Sequence, residues 1–213
     1  MSGIPAEKTA VVLIEPQNDF LSPGGTMYAF IAEQLAERNV IGNLATLLDG
    51  ARQRGVKVMY VPFHPFEPGF PELKRTGPGA TGLRGLEMDM PADWGTGAWL
   101  RGTPGPEIVK ELTPKPGDLV IEGKKTLDAF HSTALDYLLR ANEIEYVAFT
   151  GFHTNWCVES SARSAYDKGY RVIVVADCTG TDTDEEQNYA EKYIFPKIGQ
   201  VMNSTEFLAA VGE

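Results

Sequence analysis

The chain has 213 residues, 43% hydrophobic and 23% charged, which is enough apolar side chain to bury one full core, so a single domain over 1–213 is expected and wholesale disorder is excluded. A formal net charge of -10 without a Lys/Arg cluster speaks against nucleic acid, whose phosphates need a basic face. No apolar run approaches the roughly 20 residues of a membrane span, and the first residues lack a basic-then-apolar order, so a cytoplasmic protein without a membrane partner is expected.

Ala10 to Ile14 is a continuous β-branched run, the pattern of a parallel strand buried on both faces. It runs out at Glu15-Pro16-Gln17-Asn18-Asp19-Phe20. Strand ends at the carboxyl edge of an α/β sheet hold ligands, which puts Asp19 in a position for chemistry; an Asp before Ser22-Pro23-Gly24-Gly25 also suits a turn cap. Ile31 to Arg54 carries Ile31, Leu35, Leu44, Leu47, Leu48 and Ala51 at helical spacing, ends at Gly55 and leads into a strand over Val56 to Val61. This βαβ unit has no G-x-G-x-x-G after its first strand, so no dinucleotide is indicated.

Residues 62–106 are rich in Pro and Gly, with Phe63, His64, Phe66, Phe70, Trp94 and Trp99 scattered through them. So long a connection in a compact domain is usually functional, and its aromatics favour burial; it is read as a lid or pocket wall. A helical turn over Ile108 to Leu112 and a turn over Pro114 to Gly117 precede a third strand, Asp118 to Glu122, which ends at Gly123-Lys124-Lys125. A lysine there faces the same crevice as Asp19, and local sequence gives no reason to choose between the two. A helix over Ser132 to Ala141, a strand over Tyr146 to Thr150, a helix reaching Lys168, a strand over Arg171 to Ala176, a helix over Asp184 to Phe195, a strand over Ile198 to Met202 and a tail helix over Glu206 to Ala210 complete the alternation. It predicts a three-layer, doubly wound α/β fold with a mostly parallel six-stranded sheet and helices on both faces.

The turn Gly151-Phe152-His153-Thr154-Asn155-Trp156-Cys157 lies between a strand and a helix. A thiol at a helix start meets unpaired N–H groups and the positive end of the dipole, which favour thiolate, so Cys157 is a candidate nucleophile; a buried cysteine also serves as a small hydrophobe. Cys157 and Cys178 have neither C-x-x-C spacing nor a secreted-scaffold context and are expected as reduced thiols.

Three strand ends thus carry Asp19, Lys124 and Cys157, and the combination resembles the isochorismatase-like cysteine hydrolases, which include nicotinamidases, N-carbamoylsarcosine amidases, and biuret and ureidoacrylate hydrolases. The matching stretches are Val12 to Phe20, Lys124 with Ala129-Phe130, and Gly151 to Ser160 with Ala165, Gly169, Tyr170 and Asp177 following. The resemblance selects Lys124 over Lys125. It implies Asp19 as general base, Lys124 as the group that holds and polarises the pair, Cys157 as attacking thiol, and a thioester intermediate in cleavage of a non-peptide carbon–nitrogen bond. It further implies an oxyanion hole from the backbone N–H groups of His153 and Cys157, a cis peptide at Phe152-His153, and a homo-oligomer, dimer or tetramer.

This sequence departs from the family pattern in two places. Glu15-Pro16 stands where Asp-x is commoner. Pro62-Phe63-His64 replaces the Asp-x-His of nicotinamidases without a second His following, so no metal and no other cofactor is expected. Phe20, Tyr28, His64, Trp99, Phe130, His153 and Trp156 are the expected lining of a pocket for a small amide or ureide. The competing reading is a non-catalytic binding or scaffold protein with an inert Cys157.

Overall fold

The β-branched runs form the strands of one sheet in the structure, a computed structural model that describes residues 3–68, 71 and 99–212. Strands β1 (Thr9–Ile14), β2 (Lys57–Val61), β3 (Leu119–Val120), β4 (Tyr146–Phe152), β5 (Arg171–Gly180) and β6 (Gly199–Met202) lie in the order β3-β2-β1-β4-β5-β6. Every neighbouring pair is parallel. The helices are α1 (Asn18–Leu21), α2 (Tyr28–Glu37), α3 (Val40–Gln53), α4 (Leu135–Ala141), α5 (Glu159–Asp167), α6 (Asp184–Tyr189) and α7 (Ser204–Ala210). The six-stranded, doubly wound arrangement expected from the sequence is therefore present.

The strands read as continuous apolar runs because both faces are covered. On one face Val11, Leu13, Val58, Tyr60, Ile173 and Val175 pack against Ile31 and Leu35 of α2, Leu44, Leu47 and Leu48 of α3, and Phe207 of α7. On the other, Val12, Ile14, Met59, Val61, Phe149 and Val174 pack against Leu135 and Leu139 of α4 and Ala162 and Ala165 of α5. Fully burying each such Val, Leu or Ile contributes about 1.5–3 kcal/mol.

Element boundaries moved where a local backbone preference interrupts the hydrophobic period. The single helix expected over 31–54 is two, broken where Asn39 takes a left-handed φ of 50° and the Asn43 side chain donates to the Arg38 carbonyl at 3.0 Å. The helix expected from Ser132 begins at Leu135, because Ser132 is left-handed (φ 62°); the Thr133 hydroxyl then accepts from the Leu135 N–H. The helix expected to reach Phe195 is α-helical only to Tyr189 and continues as a π turn, Ala190–Ile194. Helix α7 starts earlier than expected, at a capping box formed by Asn203 and Glu206. Much of the 62–106 segment, including Phe70 and Trp94, lies outside the described residues. Among those described, no helix is long and apolar enough to cross a membrane.

Candidate active site

Strand order reverses direction between β1 and β4: the chain leaves β1 toward β2 and β3, and leaves β4 toward β5 and β6. A crevice opens at the carboxyl ends of two strands whose connections diverge in this way. Ile14 and Gly151 are register partners at that edge. Gly151 has a φ of 106°, and a Cβ there would lie 2.0 Å from the Ile14 carbonyl oxygen, so only glycine lets the two strand ends close up. Glu15 follows directly on one side and the turn that carries Cys157 on the other.

Cys157 lies in a π turn, Thr154–Val158, ahead of α5. The expected cis peptide between Phe152 and His153 is present. The Ser161 hydroxyl donates to the Cys157 carbonyl at 2.6 Å and accepts from the Ala129 N–H at 2.9 Å, which ties the turn to the segment following Lys124. Cys157 is only 3% exposed. Burial pushes its thiol up, and the Glu15 carboxylate pushes it further, against the opposing effects of the Lys124 ammonium and the His153 backbone N–H. Helix α5 begins only at Glu159, two residues past Cys157, and the burial of the thiol opposes the thiolate that the start of a helix would favour. Cys178 is also a free, buried thiol, pushed up by burial and by Asp177.

The Lys124 side chain is wholly buried. Its Nζ donates to Glu15 Oε1, to the Thr126 carbonyl at 2.5 Å, and lies 3.7 Å from Cys157 Sγ. The Phe63 ring sits beneath it, 5.3 Å away at the centroid. Burial works against the ammonium, but its interactions with Cys157 and with the Glu15 carboxylate more than offset it and its pKa is raised. Glu15 itself is buried at a left-handed φ of 52°, its N–H donating to the Val61 carbonyl at 3.1 Å.

Of the three residues assigned from sequence to the reaction, Lys124 and Cys157 come together, and the carboxylate that joins them is Glu15. The hydrogen bonds of the Asp19 carboxylate go elsewhere. Its Oδ2 accepts from the Trp99 backbone N–H at 2.7 Å and its Oδ1 from the Thr26 hydroxyl at 2.9 Å. Its backbone N–H donates to Gly105, where a Cβ would lie 2.2–2.4 Å from the carboxylate. Asp19 thus pins three loop segments. The signal for Glu15 was available: it is the first residue past β1, where the crevice rule places ligands, whereas Asp19 is four residues further on and inside α1.

Phe20, Trp99, His153 and Trp156 form a continuous group of rings, with centroid separations of 5.2 Å for Phe20–Trp99, 4.8 Å for Phe20–His153 and 5.8 Å for His153–Trp156. Phe130 is stacked 6.1 Å from Tyr170, in the core cluster that also holds Cys157 and against which Trp156 packs. Tyr28 packs on the α2/α3 core. His64 lines a cavity of about 530 Å³ with Gln17, Phe63, Arg101 and Ile108, and none of Glu15, Lys124 and Cys157 lines it. The Gln17 amide holds the near wall, accepting from the Phe63 N–H at 2.7 Å and donating to the carbonyls of Phe63 (2.9 Å) and Pro106 (2.7 Å). Among the described residues no three His, Cys, Asp or Glu side chains cluster as a metal site would require.

A reversing parallel sheet with a buried thiol, ammonium and carboxylate in contact at its carboxyl edge defines an α/β protein of the doubly wound class. The chain belongs to the isochorismatase family of hydrolases: the isochorismatase domain model matches residues 9–206. It is 32% identical over 210 residues to the uncharacterized isochorismatase family protein YwoC of Bacillus subtilis, covering 98% of this chain and 97% of that one. It is 32% identical over 178 residues to the ureidoacrylate amidohydrolase RutB of Methylorubrum extorquens, covering 82% of this chain and 70% of that one. A crystal structure of a cysteine hydrolase from Pseudomonas syringae shares the fold, with a TM-score of 0.76 at 23% identity over 98% of this chain and 94% of that one.

Proposed function

We propose that this chain hydrolyses a non-peptide carbon–nitrogen bond of a small amide or ureide through a thioester on Cys157, with Glu15 and Lys124 as its partners. The observation that carries the reading is the Lys124 ammonium, shared between Glu15 and Cys157 in a buried crevice. The similarity to RutB, an enzyme named for ureidoacrylate, supports the substrate class.

In the resting site the raised Cys157 pKa keeps the proton on sulfur. As Sγ attacks the substrate carbonyl carbon, that proton passes to Glu15, and Lys124 stabilises the charge leaving the carboxylate and arriving on sulfur. The tetrahedral oxyanion is assigned to the backbone N–H groups of His153 and Cys157. Collapse breaks the carbon–nitrogen bond, and the proton on Glu15 goes to the departing amine or ammonia. Water then attacks the thioester, giving a proton to Glu15; the acid departs and the thiol is re-formed. Asp19 is assigned the supporting role of fixing Trp99 and Thr26 beside the site.

The second reading, a binding protein with an inert thiol, draws on the 3% exposure of Cys157. A panel of small primary amides, ureides and hydrazides separates the two. Ammonia release together with an acyl adduct on Cys157 by mass spectrometry is the expected result; neither signal across the panel would leave the binding reading.

A further inference from the structure

Gln187 of α6 is fully buried, and its amide is engaged on every side by other side chains. Its Oε1 accepts from the Thr154 hydroxyl at 2.6 Å, and its Nε2 donates to Thr179 Oγ1 at 3.0 Å and to Glu191 Oε1 at 2.7 Å. The sense of these bonds is fixed by groups further out. Glu191 Oε1 also accepts from the Arg38 guanidinium at 3.0 Å, and a carboxylate oxygen takes an N–H rather than a carbonyl. The Thr179 hydroxyl gives its proton to the Ala176 carbonyl at 3.0 Å and offers Gln187 only a lone pair. The amide therefore turns its oxygen toward Thr154, whose hydroxyl is the donor.

Thr154 opens the turn that carries Cys157, directly after His153. His153 is thereby held from both sides. Phe152 before it is fixed in the sheet by its register partner Gly180; Thr154 after it is fixed by Gln187, and Asn155 accepts from the Thr181 hydroxyl at 2.6 Å. The His153 backbone N–H, assigned above to the oxyanion, also bears on the Cys157 thiol in the resting site. Most side-chain hydrogen bonds run to backbone, and the buried hydroxyls of Thr150 and Thr179 follow that habit, donating to the carbonyls of Val12 and Ala176. Thr154 instead donates to a buried glutamine that is itself held by an ion-paired carboxylate. A fully satisfied network of this kind rigidifies what it touches.

We infer that Gln187 is a positioning residue of the reaction: through Thr154 it holds the His153 backbone N–H at the place where the oxyanion forms. The inference rests on the thioester mechanism proposed above and adds to it a residue that touches no reacting atom.

The test compares two small reagents on Cys157, read by peptide mass mapping so that Cys178 is counted apart. 4-Nitrophenyl acetate acylates sulfur through a tetrahedral oxyanion, its ester C–O bond breaking and 4-nitrophenolate leaving. Methyl methanethiosulfonate transfers a methylthio group to sulfur, with loss of methanesulfinate and no oxyanion. Both need the same thiolate and the same access, so the ratio of their rate constants reports support of the oxyanion alone. Gln187→Met and Thr154→Val keep size and remove the hydrogen bond; each should lower the ratio about tenfold, a part of the roughly 10²–10³-fold cost of losing a whole oxyanion donor. Thr154→Ser keeps the hydroxyl and should keep the wild-type ratio. Gln187→Met/Thr154→Val should be no worse than either single change, because both remove one bond.

An unchanged ratio in folded Gln187→Met and Thr154→Val, a parallel fall of both rates, or an equal loss in Thr154→Ser would overturn the inference. Should one variant lose its folded circular-dichroism signal, the other decides. Loss of fold in both would make the contact a structural one and overturn the inference too, as would a wild-type Cys157 that takes up neither reagent. Failure of the amidase reading is visible separately, as wild-type protein that is acylated by the ester yet releases no ammonia from the panel of amides and ureides.

Discussion

Lys124 Nζ stands 3.7 Å from Cys157 Sγ while donating to the Glu15 carboxylate, so one fully buried ammonium faces both the group that would lose a proton and the group that would receive it. This sharing makes the reactivity of the thiol and the activity of the protein respond in opposite directions to one substitution. Cys157 is held up by burial first and by Glu15 second, with Lys124 opposing. Glu15→Gln removes the opposing anion and leaves the cation, so the thiol pKa falls. Iodoacetamide labelling of Cys157 should then shift to lower pH, while amide hydrolysis falls by about 10²–10⁴ for want of a base. Labelling and turnover that fall together would show that Glu15 aids thiolate formation at rest, contrary to the mechanism proposed.

A lysine after the third strand and Cys157 after the fourth were legible because strand ends converge in a doubly wound sheet, but local sequence left Lys124 and Lys125 equivalent and only the resemblance to the isochorismatase-like hydrolases selects Lys124. The carboxylate was harder to place. Both Glu15 and Asp19 follow β1, and sequence alone does not say that α1 begins at Asn18 and turns Asp19 toward Thr26 and Trp99. Long-range contacts of this kind, spanning 80 residues between Asp19 and Trp99, leave no periodic trace. The same holds for Phe130, an expected pocket residue, whose ring lies 6.4 Å from that of Phe149 and 6.1 Å from that of Tyr170.

A second prediction concerns stability. Lys124→Met leaves Glu15 buried beside the thiol without a countercharge, and breaking a buried pair from one side costs about 3–5 kcal/mol. Glu15→Gln/Lys124→Met removes both charges and should recover most of that loss without recovering activity. Urea unfolding of the two single variants and the double variant measures the coupling; additive losses would show that the pair is not mutually compensating.

A third follows from Asp136 and Tyr170, which join α4 to the turn after α5 through a 2.9 Å hydrogen bond from the phenol. Burial raises the Asp136 pKa, but the bond from Tyr170 and the pairing with Arg140 outweigh it, and the carboxyl is held below its usual range. Its contribution is therefore present above the unfolded-state pKa near 4 and lost as pH falls through the lower folded value. Tyr170 is pushed up to about 12, by burial first and Asp136 next. Its contribution is complete below about 10, the unfolded value, and fades as pH rises toward 12. Asp136→Asn should flatten the acid limb of the melting temperature against pH and soften the alkaline limb; an unchanged acid limb would show that other carboxylates set it.

The two carboxylates after β1 should fail in different ways. Asp19→Asn keeps an oxygen for the Trp99 N–H and turns an amide nitrogen toward Thr26, whose hydroxyl can accept but whose backbone N–H, 3.3 Å from Oδ1, loses its acceptor, so the loops should hold at a cost of about 1 kcal/mol. Asp19→Ala leaves the Trp99 N–H buried and unpaired, a loss of about 1–3 kcal/mol, and frees Trp99 from its place against Phe20. Because neither change touches Glu15, thioester formation should persist in both, with KM rising more than kcat falls, whereas Glu15→Gln should lose kcat and form no thioester. Single-turnover mass spectrometry of Cys157 separates the cases. Loss of the adduct in Asp19→Asn, with the adduct retained in Glu15→Gln, would return the role of base to Asp19.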